Sequence, residues 1–410
     1  MKILALGGPG AMGAVAVRVA AGLPGVQEIV VADRDLTAAR KLVHALAGTG
    51  VSMRPQQVDV TDGTALRDAL ASADVVLNTV GPYYRFGLTV LRAAIGTRTH
   101  YLDICDDWEP TLHMLELHDA AQAAGVCAVV GMGASPGVSN LLAARAVRGL
   151  DTVEDLYTAW PVDVSGTAGK QNEEELPLGP DGRPSAATVH WMQQISGSVA
   201  IVQAGELVRR PPLLPVTLAL PGGRAGTAYV VGHPEPVTLH SSYRITGDAA
   251  NLMVITPGTV AYLDLLRQDI DDGRLTNETA AADLAKPSTR RALLAVMHAF
   301  KFKPPKSLPP FFAAATGRRD GQAVTVLAHL AGTGEELMND MAEATGIPLA
   351  LGLAQFLDGT ASRPGVHPPE TLIDPDRFFR DLARHIHDPA GPASPDAPPD
   401  GVVIEQAPSR

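Results

Sequence analysis

The sequence predicts an α/β protein: an N-terminal doubly wound parallel sheet, an inserted α+β domain, and C-terminal helices that return to the first domain. Three observations predict it. Over residues 1–148, short apolar runs alternate with Ala- and Leu-rich segments of helical spacing, the signature of right-handed strand–helix–strand crossovers. A glycine pattern, G-x-G-x-x-G, follows the first of those runs directly. From 149 to 332 the texture changes to strand-like runs punctuated by Pro and Gly, and from 333 to 388 the helical pattern returns.

In the first domain the strands are read at "KILALG", "EIVVAD", "QQVDV", "DVVLNTV", "THYLDI" and "VCAVVGM". They are continuous apolar runs, as expected where helices cover both faces of a parallel sheet. In the second domain "VEDLYTAW", "SVAIVQAGELV", "PVTLAL", "GTAYVVG", "PVTLHSS" and "AVTVLAHLAG" read as strands, and "SAATVHWMQQI" and "STRRALLAVMHAF" as helices. The sheet they form is expected to be largely antiparallel. "GEELMNDMAEATG", "PLALGLAQFLDG" and "DPDRFFRDLARHI" read as helices packing on the first domain, and the Pro-rich residues 389–410 as a disordered tail.

Gly8, Gly10 and Gly13 form the glycine pattern. Gly8 is assigned the tight turn, Gly10 the close approach of backbone to a pyrophosphate, and Gly13 close helix–strand packing. The helix opening at Ala11 and Met12 then offers its unsatisfied N–H groups to phosphate. Asp33 ends the second strand twenty residues after Gly13, where a ribose-binding carboxylate belongs. A loop, a helix and an acid in this order define a Rossmann dinucleotide site. Asp33 would repel a 2′-phosphate and so favours NAD, while Arg34 could pair with that phosphate and suit NADP. Asp59 and Val60 follow the third strand on the adenine side. Asn78, Thr79, Val80 and Gly81 end the fourth strand, beside the expected nicotinamide ribose.

The combination of "GGPGAMG", "ADRD", "GPYY", "YLDICDD" and "G-x-x-PG", with the later "GHPEPVTL" and "TGIPLALG…PGVHPPETLIDPDRFFRDL", resembles the saccharopine dehydrogenase-like family. That group includes saccharopine reductases, lysine 6-dehydrogenases and carboxynorspermidine or homospermidine synthases. The resemblance implies a nicotinamide coenzyme, NAD or NADP, and chemistry at a C–N bond of an amino-acid or polyamine-like small molecule. It also leaves two alternatives: a synthase that recycles its NAD internally, and a non-catalytic NAD(P)-sensing protein. Hydride chemistry at C=C or C–O bonds is open as well, because a fold does not fix a function.

Ligands of an open α/β sheet lie beyond the carboxyl ends of its strands. Tyr83 and Tyr84 follow the fourth strand and offer a hydrogen bond or a proton. Arg85 offers a bidentate clamp for a carboxylate. Asp103, Asp106 and Asp107 follow the fifth strand; Asp107 is the N-cap candidate, leaving Asp103 for a substrate ammonium and Asp106 for proton transfer. Cys105 reads as a packed thiol, since nothing local lowers its pKa. In "GMGASPGVSN", Ser135 and Pro136 read as N-cap and first residue of a helix running to Arg148, with Ser135 and Asn140 facing the substrate. From the inserted domain Lys170, His190 and Arg244 are candidates, His190 for proton transfer and Arg244 for a carboxylate.

Composition bounds the partners. Charged residues are 19% and the formal net charge is −11, which argues against nucleic-acid and membrane partners. The two cysteines, and the absence of CxxC or HExxH patterns, predict reduced thiols and no metal. No apolar run is long enough to span a bilayer, so the expected location is the cytoplasm. The expected assembly is a homodimer formed through the second domain's sheet.

Overall fold

The computed structural model describes residues 1–164, 184–330, 340–386 and 398–409. In chain order the first elements are β1 (Lys2–Leu6), α1 (Ala11–Ala20), β2 (Glu28–Asp33), α2 (Leu36–Ala45), β3 (Ser52–Gln57), α3 (Gly63–Ala71), β4 (Val75–Asn78), α4 (Tyr83–Thr97), β5 (His100–Asp103), α5 (Trp108–Leu115), α6 (His118–Ala124), β6 (Cys127–Val129) and α7 (Val138–Val147). There follow β7 (Thr152–Pro161), α8 (Ala186–Gln194), β8 (Val199–Gln203), β9 (Glu206–Arg210), β10 (Pro215–Leu220), β11 (Arg224–Val231), α9 (Glu235–Tyr243), β12 (Ala249–Val254), α10 (Pro257–Asp271), α11 (Asn277–Ala285), α12 (Thr289–His298), β13 (Phe312–Arg319) and β14 (Gln322–Leu330). The last described elements are α13 (Met341–Leu357), β15 (Gly365–His367), α14 (Pro375–Ile386) and β16 (Val402–Pro408).

The chain forms two compact units, Met1–Leu141 with Met341–Gly391, and Leu142–Asp340 with Pro392–Arg410. The division lies inside α7 rather than after residue 148. In the first unit seven strands run in the order β15-β6-β5-β4-β1-β2-β3, and every pair is parallel. Six of them make the doubly wound sheet that alternating strands and helices predict; the seventh comes from the returning C-terminal segment. Central strands β1 and β4 are buried almost throughout because helices cover both faces. α13 is buried nearly all round and packs on α1. A side chain at Gly346 would put its Cβ 2.5 Å from the Met12 carbonyl, so glycine there permits the contact.

The second unit holds a nine-stranded sheet with the path β10-β11-β12-β7-β13-β14-β16, β8 and β9 branching from β12. Along that path only β12 and β7 are parallel. One face carries Tyr229, Val231 and Met253 under α8, α10 and α11; the other carries Ala159, Leu252 and Phe312.

Four readings are corrected. The third strand is Ser52–Gln57, not "QQVDV": Val58 and Val60 are buried in the turn that follows it. "PVTLHSS" is helical, within α9, because Pro236 stands in the first turn, where a proline costs no hydrogen bond. α13 runs on through Pro348 as one helix where two were expected. Within the tail expected to be disordered, Val402–Pro408 forms β16, antiparallel to β14. Its β-branched valines and the Glu405–Arg224 ion pair (2.7 Å) outweigh the Pro-rich composition.

Candidate active site

The parallel sheet of the first unit brings the β1, β4, β5 and β6 carboxyl ends to one edge. At β1 the left-handed turn residue is Gly7 (φ +76°), not Gly8. Gly8 instead lets the loop lie against the strands; a Cβ there would meet the Ala5 carbonyl at 3.0 Å and Val31 at 3.2 Å. Gly13 has the packing task expected of it: its Cβ would fall 2.6 Å from the Gly7 carbonyl and 2.8 Å from Thr79 Oγ1. Gly10 is the exposed N-cap of α1, and a Cβ there meets only the Gly7 carbonyl, at 3.3 Å. No side chain caps this helix. The amides of its first turn, with Ala11 and Met12 half-buried beside Gly13, therefore form an anion cradle.

Asp33 ends β2, half-buried. Its Oδ1 accepts from the Asp35 amide (2.8 Å), and its Oδ2 has no protein donor among the described residues. Arg34 and Asp59 are exposed beside it, and Val60 is buried. Thr61's hydroxyl and amide hold the Asp59 carboxyl below its ordinary range, helped by the Arg34 charge. The cradle and the open carboxylate oxygen fit the pyrophosphate and ribose of a dinucleotide.

The ends of β4 and β5 are knitted together by a buried polar chain. Asn78 Nδ2 donates to the Tyr101 hydroxyl (3.0 Å), which donates to Asp103 Oδ2 (2.6 Å). Asp103 Oδ1 accepts from the amides of Gly131 (2.7 Å) and Cys105 (3.1 Å). The Tyr83 hydroxyl donates to the Asn78 carbonyl (2.7 Å) and accepts from the Ile104 amide. This corrects three assignments. Asp103 and Asn78 are fully buried and Tyr83 nearly so; they hold the loops rather than face a ligand. Burial and the nearby Asp103 push the Tyr83 hydroxyl far above its usual range. Thr79 donates to the Leu6 carbonyl (3.1 Å) and packs on Gly13. Val80 is half-buried against the core, its amide donating to Asn78 Oδ1 (3.2 Å), while Gly81 is exposed and a Cβ there would meet nothing within 4 Å.

Asp107 stands at the N-cap position of α5, yet its carboxylate does not cap that helix. Its Oδ2 accepts instead from the Tyr84 amide (3.0 Å) at the start of α4. Tyr84 is 53% exposed; Asp106 is half-buried. Arg85 is exposed, its guanidinium 4.9 Å over the neighbouring Phe86 ring. Cys105 is wholly buried, and burial raises its thiol far out of the reactive range.

"GMGASPGVSN" also differs from expectation. α7 begins at Val138, so Ser135 is not its N-cap. The loop closes on itself first: the Gly133 amide donates to the Pro136 carbonyl (2.9 Å), and Gly137 (φ +120°) abuts Gly133 so closely that no side chain fits. Asn140 is fully buried. Its Oδ1 accepts from the Gly137 amide (3.1 Å) and its Nδ2 donates to Glu370 (2.8 Å), so it shapes the loop. Ser135 is half-buried.

In the second unit, His190 is half-buried on α8 and accepts from Gln194 Nε2 (3.1 Å). Arg244 is exposed in the left-handed C-cap position of α9. Lys170 lies outside the described residues. Sequence reasoning missed a buried network here. Asn251 accepts from Trp160 Nε1 (2.9 Å) and donates to Thr158 (2.9 Å) and Glu235 (2.8 Å). Glu235 is fully buried, His233 lies 3.7 Å from it, and the Trp160 ring stacks on His233 at 5.6 Å. The signal was present in "GHPEP": a histidine and an acid two residues apart at a proline-started helix.

Burial raises the Asp103 carboxyl to about 6, against the hydrogen bonds from Tyr101, Gly131 and Cys105. A group raised on folding contributes stability at low pH and loses it as pH rises through its folded value. From 3.8 to about 6 that is on the order of 3 kcal/mol. Asp103→Asn removes the titration. Urea unfolding between pH 4 and pH 7 should show the stability of Asp103→Asn rising relative to wild type by about that amount. A difference constant with pH would show the carboxyl titrating at its ordinary value.

The loop, the cradle and the sheet order define a dinucleotide-binding domain. Residues 3–129 match the family described as saccharopine dehydrogenase NADP binding domain. A saccharopine dehydrogenase [NADP(+), L-glutamate-forming] of Pyricularia oryzae is 31% identical over 132 residues. That match covers 32% of this chain and 26% of that protein's length. The apo, histidine-tagged saccharopine dehydrogenase (L-Glu forming) of Saccharomyces cerevisiae has a similar fold, with TM-score 0.62 and 17% identity over 100% of both chains.

Proposed function

We propose that this chain is an NAD(P)-dependent oxidoreductase acting on a C–N bond of an amino-acid or polyamine-like substrate. The observation that carries the coenzyme is the uncapped, glycine-built N-terminus of α1 with Asp33 Oδ2 open beside it. The bound coenzyme supplies hydride donation and acceptance at its nicotinamide ring. The α1 amides hold the pyrophosphate, and Asp33 orients the ribose. We read Asp33 as favouring NAD, with Arg34 as the residue that would admit NADP.

The C–N reading rests on the named relatives and on the polar side chains that follow β4 and β5 outside the buried network. Arg85 suits a substrate carboxylate. Tyr84 and Asp106 are the candidates to move a proton to or from the substrate nitrogen. A screen of amino acids, diamines and imine-forming mixtures of keto acid and amine tests this, reading the reduced-nicotinamide absorbance band. Turnover with an amine that falls at least tenfold in Asp106→Asn, at unchanged coenzyme affinity, is the expected result. Turnover only with alcohols or enones would overturn the C–N assignment.

A further inference from the structure

Residues 286–306 read "KPSTRRALLAVMHAFKFKPPK": six Lys or Arg and no Asp or Glu, in a chain of net charge −11. α12 occupies the middle of this segment. Its Ala295 side is buried in the second unit's core with Leu263 and Leu266 of α10. Arg291 fixes its orientation by pairing with Asp269 (2.6 Å) and Asp283. The opposite face is apolar and open. Leu293, Val296 and Met297, at positions i, i+3 and i+4 of α12, are 62%, 64% and 54% exposed, and Phe300, in the 3-10 turn Ala299–Lys301 that follows, is 92% exposed. Lys286, Arg290, Lys301, Lys303 and Lys306 are exposed around it and enter no ion pair among the described residues.

We propose that this face docks on an anionic lipid surface. An apolar stripe bordered by cations is the form of a helix that lies in a membrane interface. Charge decides between the occupants. A second copy related by a two-fold axis would set the same five cations against themselves with no acid in the segment to answer them; an anionic bilayer answers all five. No described helix is long and apolar enough to cross a membrane, so the contact is peripheral. The whole-chain charge, which argued against membranes, averages this segment away; attraction to a surface is felt within about a Debye length.

The test is flotation of the full chain with vesicles of phosphatidylcholine alone or with roughly one-third phosphatidylglycerol, since attraction to anionic headgroups scales with the cations near the surface. Binding is expected to be at least tenfold tighter to the anionic vesicles and to weaken with salt. Lys301→Gln with Lys303→Gln should cost about fivefold per charge on anionic vesicles only. Leu293→Ser with Phe300→Ser should reduce binding about tenfold or more. These side chains are mostly exposed, so an unchanged thermal transition and NAD(P) affinity verify folding. No preference for anionic vesicles would overturn the proposal. So would a dimer by light scattering that Leu293→Ser with Phe300→Ser dissociates, which would assign the face to a second copy.

Discussion

Gly13→Ala is expected to destabilise the protein and weaken coenzyme binding together, whereas Gly10→Ala is expected to weaken binding alone. The added methyl at Gly13 would sit 2.6 Å from the Gly7 carbonyl and 2.8 Å from Thr79 Oγ1. Neither can yield cheaply. Gly7 is in the left-handed turn and its amide bonds the Ala32 carbonyl (2.9 Å), while Thr79 is tied to Leu6. Overpacking of this kind costs about 1–3 kcal/mol, more than the ~1 kcal/mol that alanine gains over glycine inside a helix. At Gly10 the methyl meets one atom at 3.3 Å and otherwise solvent. Its effect on stability should stay within about 1 kcal/mol, the cost of a poorer N-cap. It does, however, project where phosphate oxygens must approach the α1 amides, and a lost set of charge-assisted hydrogen bonds should cost at least about tenfold in affinity. Calorimetric titration with NAD and NADP, paired with thermal melts, separates the cases. A Gly10→Ala protein that binds as tightly as wild type would remove the loop from the coenzyme site.

Much of this fold was legible because its signals are local. A strand followed by three spaced glycines and a helix, closed by Asp33, can be read within the first 33 residues. The parallel order followed from alternation alone, and even the Gly13 contact was foreseen from the spacing. What escaped depends on pairings between residues far apart in sequence. Asp103 looked like a ligand-facing carboxylate, but the Gly131 amide, 28 residues on, meets it. Asn140 looked like a substrate contact, and Glu370, 230 residues away, takes its amide. β16 was invisible because an edge strand is stabilised by its neighbour, here β14, and not by its own composition. The Glu235 network escaped for the same reason: its members lie on β7, β12 and the start of α9, and only the sheet brings Thr158 beside Asn251.

Asp33→Asn is expected to shift the coenzyme preference toward NADP by at least about tenfold, raising NADP affinity as it lowers NAD affinity. The asparagine keeps an oxygen for the Asp35 amide, which Oδ1 now serves, so the β2–α2 turn survives. What it removes is the charge at Oδ2. On the proposed reading that oxygen would be a charge-assisted acceptor for the ribose hydroxyls of NAD and a repulsive neighbour of the 2′-phosphate of NADP. Arg34 acts with the opposite sign. Arg34→Ala should leave NAD affinity within about twofold and cost NADP about tenfold, the worth of one ion-assisted contact. Asp59 tempers Arg34, because its carboxylate stays ionised under the Thr61 hydrogen bonds and already interacts with that guanidinium. Asp59→Asn should therefore strengthen NADP binding modestly while leaving NAD unchanged. In the two Asp→Asn substitutions charge varies at nearly constant shape, and salt provides the control: at high ionic strength the NADP differences should contract and the NAD differences persist. If the wild-type protein binds NADP as tightly as Asp33→Asn does, the Asp33 carboxylate does not face the ribose, and the coenzyme's adenosine end must be held elsewhere along the β2 edge.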